Sequence, residues 1–229
     1  MFIIADKKKT ELLLVLIGFV VITLLIEFFL SKIETDGVWE WALLSMVFFL
    51  FTPLFIVKKL WKKTFKEYFL SLDVSIKAIV ISLTAVLIYV AVMWLLVVQL
   101  NWRGHLTVSR WILGSTGFLL FVDLVVMPFV IFAREFFFRG FILKSAVGVL
   151  GMVGAIVFQS ILATGYDVYI GGFSDWVGAW PQIVLLLFFN AMLGFVALVS
   201  RSIIVTSIIS WAHFLFVDLF FAYQLSNFS

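Results

Sequence analysis

The chain has 229 residues, 65% of them hydrophobic and 13% charged, with a formal net charge of +3 and a mean hydropathy of +1.23. A soluble domain averages about 45–50% apolar and about 25% charged residues, so a water-soluble fold is excluded and the solvent is lipid. The lack of cysteine excludes disulfides, thiolate metal sites and a cysteine nucleophile.

A bilayer crossing needs about 20 mostly apolar residues. Lys7, Lys8 and Lys9 precede the first such run, at about 11–31. Its length, with no small-residue cleavage site after it, predicts a retained span rather than a secretory leader. A second run covers about 39–57. Residues 58–76 then read as a basic amphipathic helix on the inner leaflet, or as a plain charged connector. Trp61, Phe65, Phe69 and Leu72 recur at helical spacing there, with lysines between them. Further runs at about 77–99, 111–133, 145–164, 181–200 and 203–224 bring the expected spans to seven. The fourth is expected to continue through "IFAREFFFRGFILK", residues 131–144, as one long helix. Period-two alternation is absent, which excludes a β-barrel, and an unhydrated backbone then leaves helices. The predicted fold class is all-α: a polytopic membrane helix bundle forming a single domain over 1–229, without repeats or a low-complexity linker.

Basic residues set the orientation. Thirteen precede the first span or lie in the connections after the second, fourth and sixth; three (Lys32, Arg103 and Arg110) lie on the other side. That places the N-terminus in the cytoplasm and makes the protein a multi-pass inner (cell) membrane protein. "GYDVYIGGFSDWVGAW", with no basic residue, becomes an outer loop, and Trp39, Trp111, Trp176 and Trp180 fall at interfacial positions. Gly148, Gly151 and Ala155 read as a small-residue packing seam.

An ionisable side chain within a span costs about 2.5–3.5 kcal/mol on insertion scales and usually has a partner inside the bundle. The candidates are Asp123, Glu135, Arg139, His213 and Asp218; Gln159 and Asn190 are polar but neutral. Glu135 and Arg139, four apart with the acid first, suit an intrahelical ion pair. That pair is either a working site or a structural contact at the membrane edge, with Arg139 snorkelling. Asp123 and His213 fall at similar depths near the bilayer centre, so they either pair or bond separately to backbone and hydroxyl groups. Asp218, about 140° round the helix from His213, does not share its face. His213 is a poor start for a zinc site, which needs three or four protein ligands.

"REFFFRG" resembles the first motif of the CAAX prenyl protease and bacteriocin-processing (CPBP, or Abi) family of intramembrane metalloproteases. That motif has two adjacent glutamates, three residues, then arginine and commonly glycine. Glu135, Phe138, Arg139 and Gly140 match it, and Arg134 replaces the first glutamate. The family's second motif is phenylalanine followed four residues later by histidine; Phe158 and then Leu162 stand there. The last motif follows a glycine-containing helix and a basic turn. Gly194, Arg201, Ser202 and His213 keep that outline, but Val217 stands where asparagine belongs, with Asp218 one place late. The resemblance covers about 111–220. It implies the family's fold, with Glu135, Arg139 and His213 as the motif residues retained and His213 the one metal ligand kept.

The departures fall on the chemistry. Arg134 is a permanent cation and cannot serve as a base, Leu162 cannot bind metal, and metal-assisted hydrolysis needs an open site, a positioned water and a base. The expectation is therefore a non-catalytic pseudoprotease with no cofactor. It would bind a transmembrane partner, a lipid or a prenylated peptide, with a role in bacteriocin immunity by analogy. Besides the lipid bilayer, no nucleic-acid partner is expected. Two alternatives stand beside it. One is an active intramembrane metalloendopeptidase with a shifted zinc site; the other is a small transporter using Asp123, His213 and Asp218 as relay groups.

Overall fold

The computed structural model describes residues 2–30, 38–70, 73–96, 116–170 and 180–226. These are almost wholly helical, and no strand occurs among them. Helix α1 is Phe2–Leu30, α2 is Val38–Leu60 and α3 is Ile76–Trp94. A long run from 116 to 170 breaks at Gly151 (φ 72°, ψ 178°) into α4 (116–150) and α5 (152–170). Trp180–Ser200 forms α6 and Ile203–Ser226 forms α7. The expected ends of the first span at 31, the third beyond 96 and the fourth before 116 lie outside the described residues, as do Trp111, Trp176 and residues 171–179 of the expected outer loop.

Among the described residues, five helical runs are long and apolar enough to cross a membrane: Lys8–Ile26, Val38–Leu60, Ile76–Trp94, Gly117–Tyr169 and Trp180–Ser200. Ile203–Leu219 is a shorter apolar helix. Large apolar side chains such as Leu24, Leu87, Phe129 and Phe216 stand exposed around the outside, as lipid-facing positions do. Lipid tails are as apolar as leucine, so burial against a neighbouring helix gains little hydrophobic free energy here. Close packing and internal polar contacts must hold the bundle.

The long run shows why a reversal is needed. Its 53 residues would extend about 80 Å as one helix, against a hydrocarbon core of about 30 Å. Gly151 sits in a backbone region that is essentially glycine-only. The chain folds back there, so Arg134, 17 residues before it, meets Asp167, 16 residues after it. In a continuous helix those two would lie about 50 Å apart. The reversal therefore comes at 151, later than the expected start of a span at 145. It corrects the packing-seam reading of Gly151, where a Cβ would meet nothing within 4 Å. Gly148, by contrast, is a close-approach site, with the Lys8 side chain 3.2 Å from a would-be Cβ. Because space at 151 is open, Gly151→Ala and Gly151→Ser should lose the same stability, about 1–3 kcal/mol from backbone strain alone. Thermal unfolding in detergent checks this, and no loss in either would mean that the chain does not turn at this residue.

Three apolar clusters fill the interior. The largest joins α1, α2, α4 and α5 around Phe49, Phe136, Phe137 and Phe138. Phe49 and Phe137 rings lie 5.0 Å apart. The second packs the starts of α2 and α4 against Trp211 and Phe214 of α7, and the third packs α3 against α6 and α7 around Tyr89 and Phe189. Wide π-type turns at 46–51 and 122–126 precede Pro53 and Pro128, where the missing proline N–H opens the helical ladder. Two more such turns are Ile56–Leu60, which ends α2, and Phe136–Ile142, which holds Arg139 and Gly140.

The described residues of 58–76 do not form a single amphipathic helix, and the charged-connector reading describes them better. α2 carries Lys58 and Lys59 in its last turn and ends at Leu60. The chain then passes through left-handed Lys62 (φ 53°), a 3-10 turn at Phe65–Tyr68 and left-handed Phe69 (φ 64°). The cause is packing against the bundle instead of the bilayer. Trp61 stacks on Phe141 at 5.2 Å, and Tyr68 is buried. Gly140 has no Cβ to block the Tyr68 carbonyl, which would lie 3.0 Å from one. The Phe69 carbonyl accepts the Ile203 N–H at 3.0 Å, satisfying one of the orphan donors that begin α7.

A buried charge network as the candidate functional site

The conspicuous polar feature is a chain of contacts linking α4, α5 and α6. Glu135 and Arg139, one helical turn apart on α4, are both fully buried, with Nη1 of Arg139 3.2 Å from Oε1 of Glu135. Nη2 of Arg139 donates to Oδ1 of Asn190, midway along α6. Nδ2 of Asn190 donates to Oγ1 of Thr164 at 3.1 Å and to Oδ2 of Asp167 at 3.3 Å. That same Asp167 oxygen accepts from Nη2 of Arg134 at 2.5 Å. Two acids and two arginines thus form a neutral set. Thr206 and Ser210 of α7 lie near the Glu135 carboxyl group, with the Thr206 hydroxyl donating to the Ile203 carbonyl at 2.9 Å.

Local packing fixes the network. Nε2 of Gln159 donates to the Asn190 carbonyl at 2.9 Å and would lie 2.6 Å from a Cβ on Gly194. Glycine at 194 thus leaves the Gln159 amide room to lie against α6. Ser160, Thr164 and Asp167 recur at i, i+4 and i+7, giving α5 a polar stripe on an otherwise apolar helix. Arg134 also stands 5.9 Å from the Phe214 ring, a cation–π contact.

Arg139 therefore does not snorkel from a membrane edge. It is fully buried and bonded to the middle of α6. Asp167, expected in the outer loop, is a helical residue of the interior and the countercharge of Arg134.

The other candidates are scattered. His213 packs its ring on Phe189 at 4.3 Å, with Tyr89 at 5.6 Å and Phe214 at 5.7 Å. Leu162 packs against the first apolar cluster, and Val217 is buried on α7. Asp123 meets Asp218, not His213: their carboxyl groups lie within hydrogen-bonding reach, and Nε1 of Trp211 donates to the Asp123 carbonyl at 2.7 Å. Of the two arrangements open to Asp123 and His213, the structure has them apart, with Asp218, on another face of α7 from His213, turned to Asp123. Among the described residues, no group of three or more histidine, cysteine or acidic side chains is placed to hold a metal ion.

Arg134 and Arg139 cannot accept a proton, and each is tied to a carboxylate. A divalent cation approaching this centre would meet two guanidinium groups. The arrangement is suited to fixing three helices relative to one another. No protein-family model matches the chain, and neither a curated protein nor a solved structure does.

Proposed function

We propose that the chain is a seven-span membrane protein that holds a membrane partner, lipid or peptide, without hydrolysing it, on a scaffold like that of the CAAX-type proteases. The carrying observation is the Arg134–Asp167 ion pair. The position at which the resembled motif has its first glutamate is filled by a cation whose countercharge comes from α5. The seven spans follow if α4 and α5 cross separately and Ile203–Leu219 crosses as well.

The orientation places the N-terminus on the cytoplasmic side. Moving the buried Arg134 and Arg139 off the inner tally still leaves eleven basic residues against three. Lys8, before the first span, and Lys63 and Lys144, from two connections assigned to the inner side, also line one cavity, as a common end of the bundle requires. A role in self-immunity to bacteriocins rests on the resemblance alone.

Metal analysis of protein purified without chelator, paired with a peptidase assay on prenylated and unprenylated membrane peptides, tests the non-catalytic reading. Well under one zinc per chain and no cleavage are expected. One zinc retained through dialysis, together with cleavage, would replace it with an active peptidase.

A further inference from the structure

We infer that the lysine-rich end of the bundle binds the phosphate headgroup of an anionic phospholipid. The site is a cavity of about 400 Å³ into which Lys66, Lys144 and Arg201 project from three separate elements: the 61–70 connection, the end of α4 and the α6–α7 turn. Glu67 is the one acid lining it. Its carboxylate is engaged by the Thr64 N–H at 3.0 Å and the Thr64 hydroxyl at 2.7 Å. Those donors, backbone first, hold Glu67 below the ordinary carboxylate range, so it stays an anion on its own turn.

Three cations face this one acid, whose charge acts partly on Lys144, so the cavity keeps a net positive charge. Arg201 and Lys66 form no ion pair among the described residues. The Lys144 ammonium lies 5.2 Å from the Phe69 ring. Arg201 is held in a left-handed turn (φ 53°), with its N–H bonded to the Ala197 carbonyl at 2.9 Å. The backbone thus fixes where this guanidinium starts, and a guanidinium fork matches two phosphate oxygens. A neighbouring cavity of about 310 Å³ shares Lys144 and Glu67. There Lys63 is already committed to Glu11 at 2.7 Å. Burial opposes its charge, but Glu11 and Tyr68 outweigh that and hold the ammonium above its ordinary range.

The apolar lining distinguishes a lipid from a free anion. Met152 lines the cavity and is 66% exposed, and next to it Val153 is 75% exposed. Leu198 and Phe69 complete the wall. A headgroup held by the three cations would leave its acyl chains running along this α5 surface. Basic pockets between membrane helices on the cytoplasmic side are suited to such headgroups. The inference goes beyond the proposed function and needs only that the chain spans a bilayer.

The test uses full-length protein in nanodiscs of phosphatidylcholine with increasing phosphatidylglycerol, with bound lipid counted by native mass spectrometry. One tightly held phosphatidylglycerol is expected. Lys144→Gln/Arg201→Gln should weaken it at least tenfold, while the melting temperature in pure phosphatidylcholine stays unchanged. Lys59→Gln/Lys77→Gln removes the same charge away from the cavity and should change binding less than twofold. Equal loss in both double variants would reduce the effect to general surface attraction and overturn the site. Inorganic phosphate displacing the bound phosphatidylglycerol at a matching concentration would overturn the lipid assignment.

Discussion

Replacing Asp167 with alanine should destabilise the bundle by about 3–5 kcal/mol, the cost of leaving a buried charge without its partner. Arg134 would then be a mostly buried guanidinium without its ion-pair partner, left with the Phe214 ring and the Glu135 carboxylate that Arg139 already engages. Asn190 would also lose one of its two acceptors. The double variant Arg134→Met/Asp167→Leu should recover most of that loss, because a well-packed apolar pair can equal a buried ion pair. Unfolding in a detergent titration, run as a double-mutant cycle, measures the coupling. Additive losses would mean that the two residues act independently, and the hairpin geometry would be wrong.

The second large effect is expected at Arg139. Arg139→Met removes the countercharge of a fully buried Glu135 and the donor to Asn190 in one step. The loss should again reach about 3–5 kcal/mol. Arg139→Lys should restore only part of it, because a single ammonium lacks the planar fork that serves Glu135 and Asn190 together. Adding Glu135→Gln to Arg139→Met should restore more than the lysine does, since the orphaned charge is then gone. If Arg139→Lys proves fully stable, the guanidinium geometry is not what joins α4 to α6.

That the chain is a set of long apolar helices was readable because 20-residue apolar runs are long-range signals. The starts of α6 and α7 and the break at Arg201 and Ser202 fall within about a residue of where the pattern puts them. The continuation of the fourth helix through residues 131–144 was also readable, since nothing in that stretch breaks a helix. The turn to α5 was not. Gly148, Gly151 and Gly154 are equally spaced, and only the backbone conformation at 151 selects among them. That misplacement hid Asp167. Ending the fifth span at 164 put the acid in a loop, although the Ser160–Thr164–Asp167 stripe was present in the sequence. Asp123 shows a different limit: depth narrows the choice of partner, but the rotation of each helix decides it. The 61–70 segment carries helical spacing of its aromatics, yet its contacts with Phe141 and the α7 start outweigh that local preference.

The near-equal distances of Arg134 and Asp167 from Gly151 make the hairpin a ruler. Inserting or deleting one residue in either arm between those charges and the glycine would rotate everything beyond it by about 100° and shift it by about 1.5 Å. The acid would then face away from its guanidinium, and Thr164 would leave Asn190. Side-chain identity can drift on the lipid face, but the number of residues from 134 to 167 cannot change without dismantling the centre. In this protein chain length between two charges is itself a structural constraint.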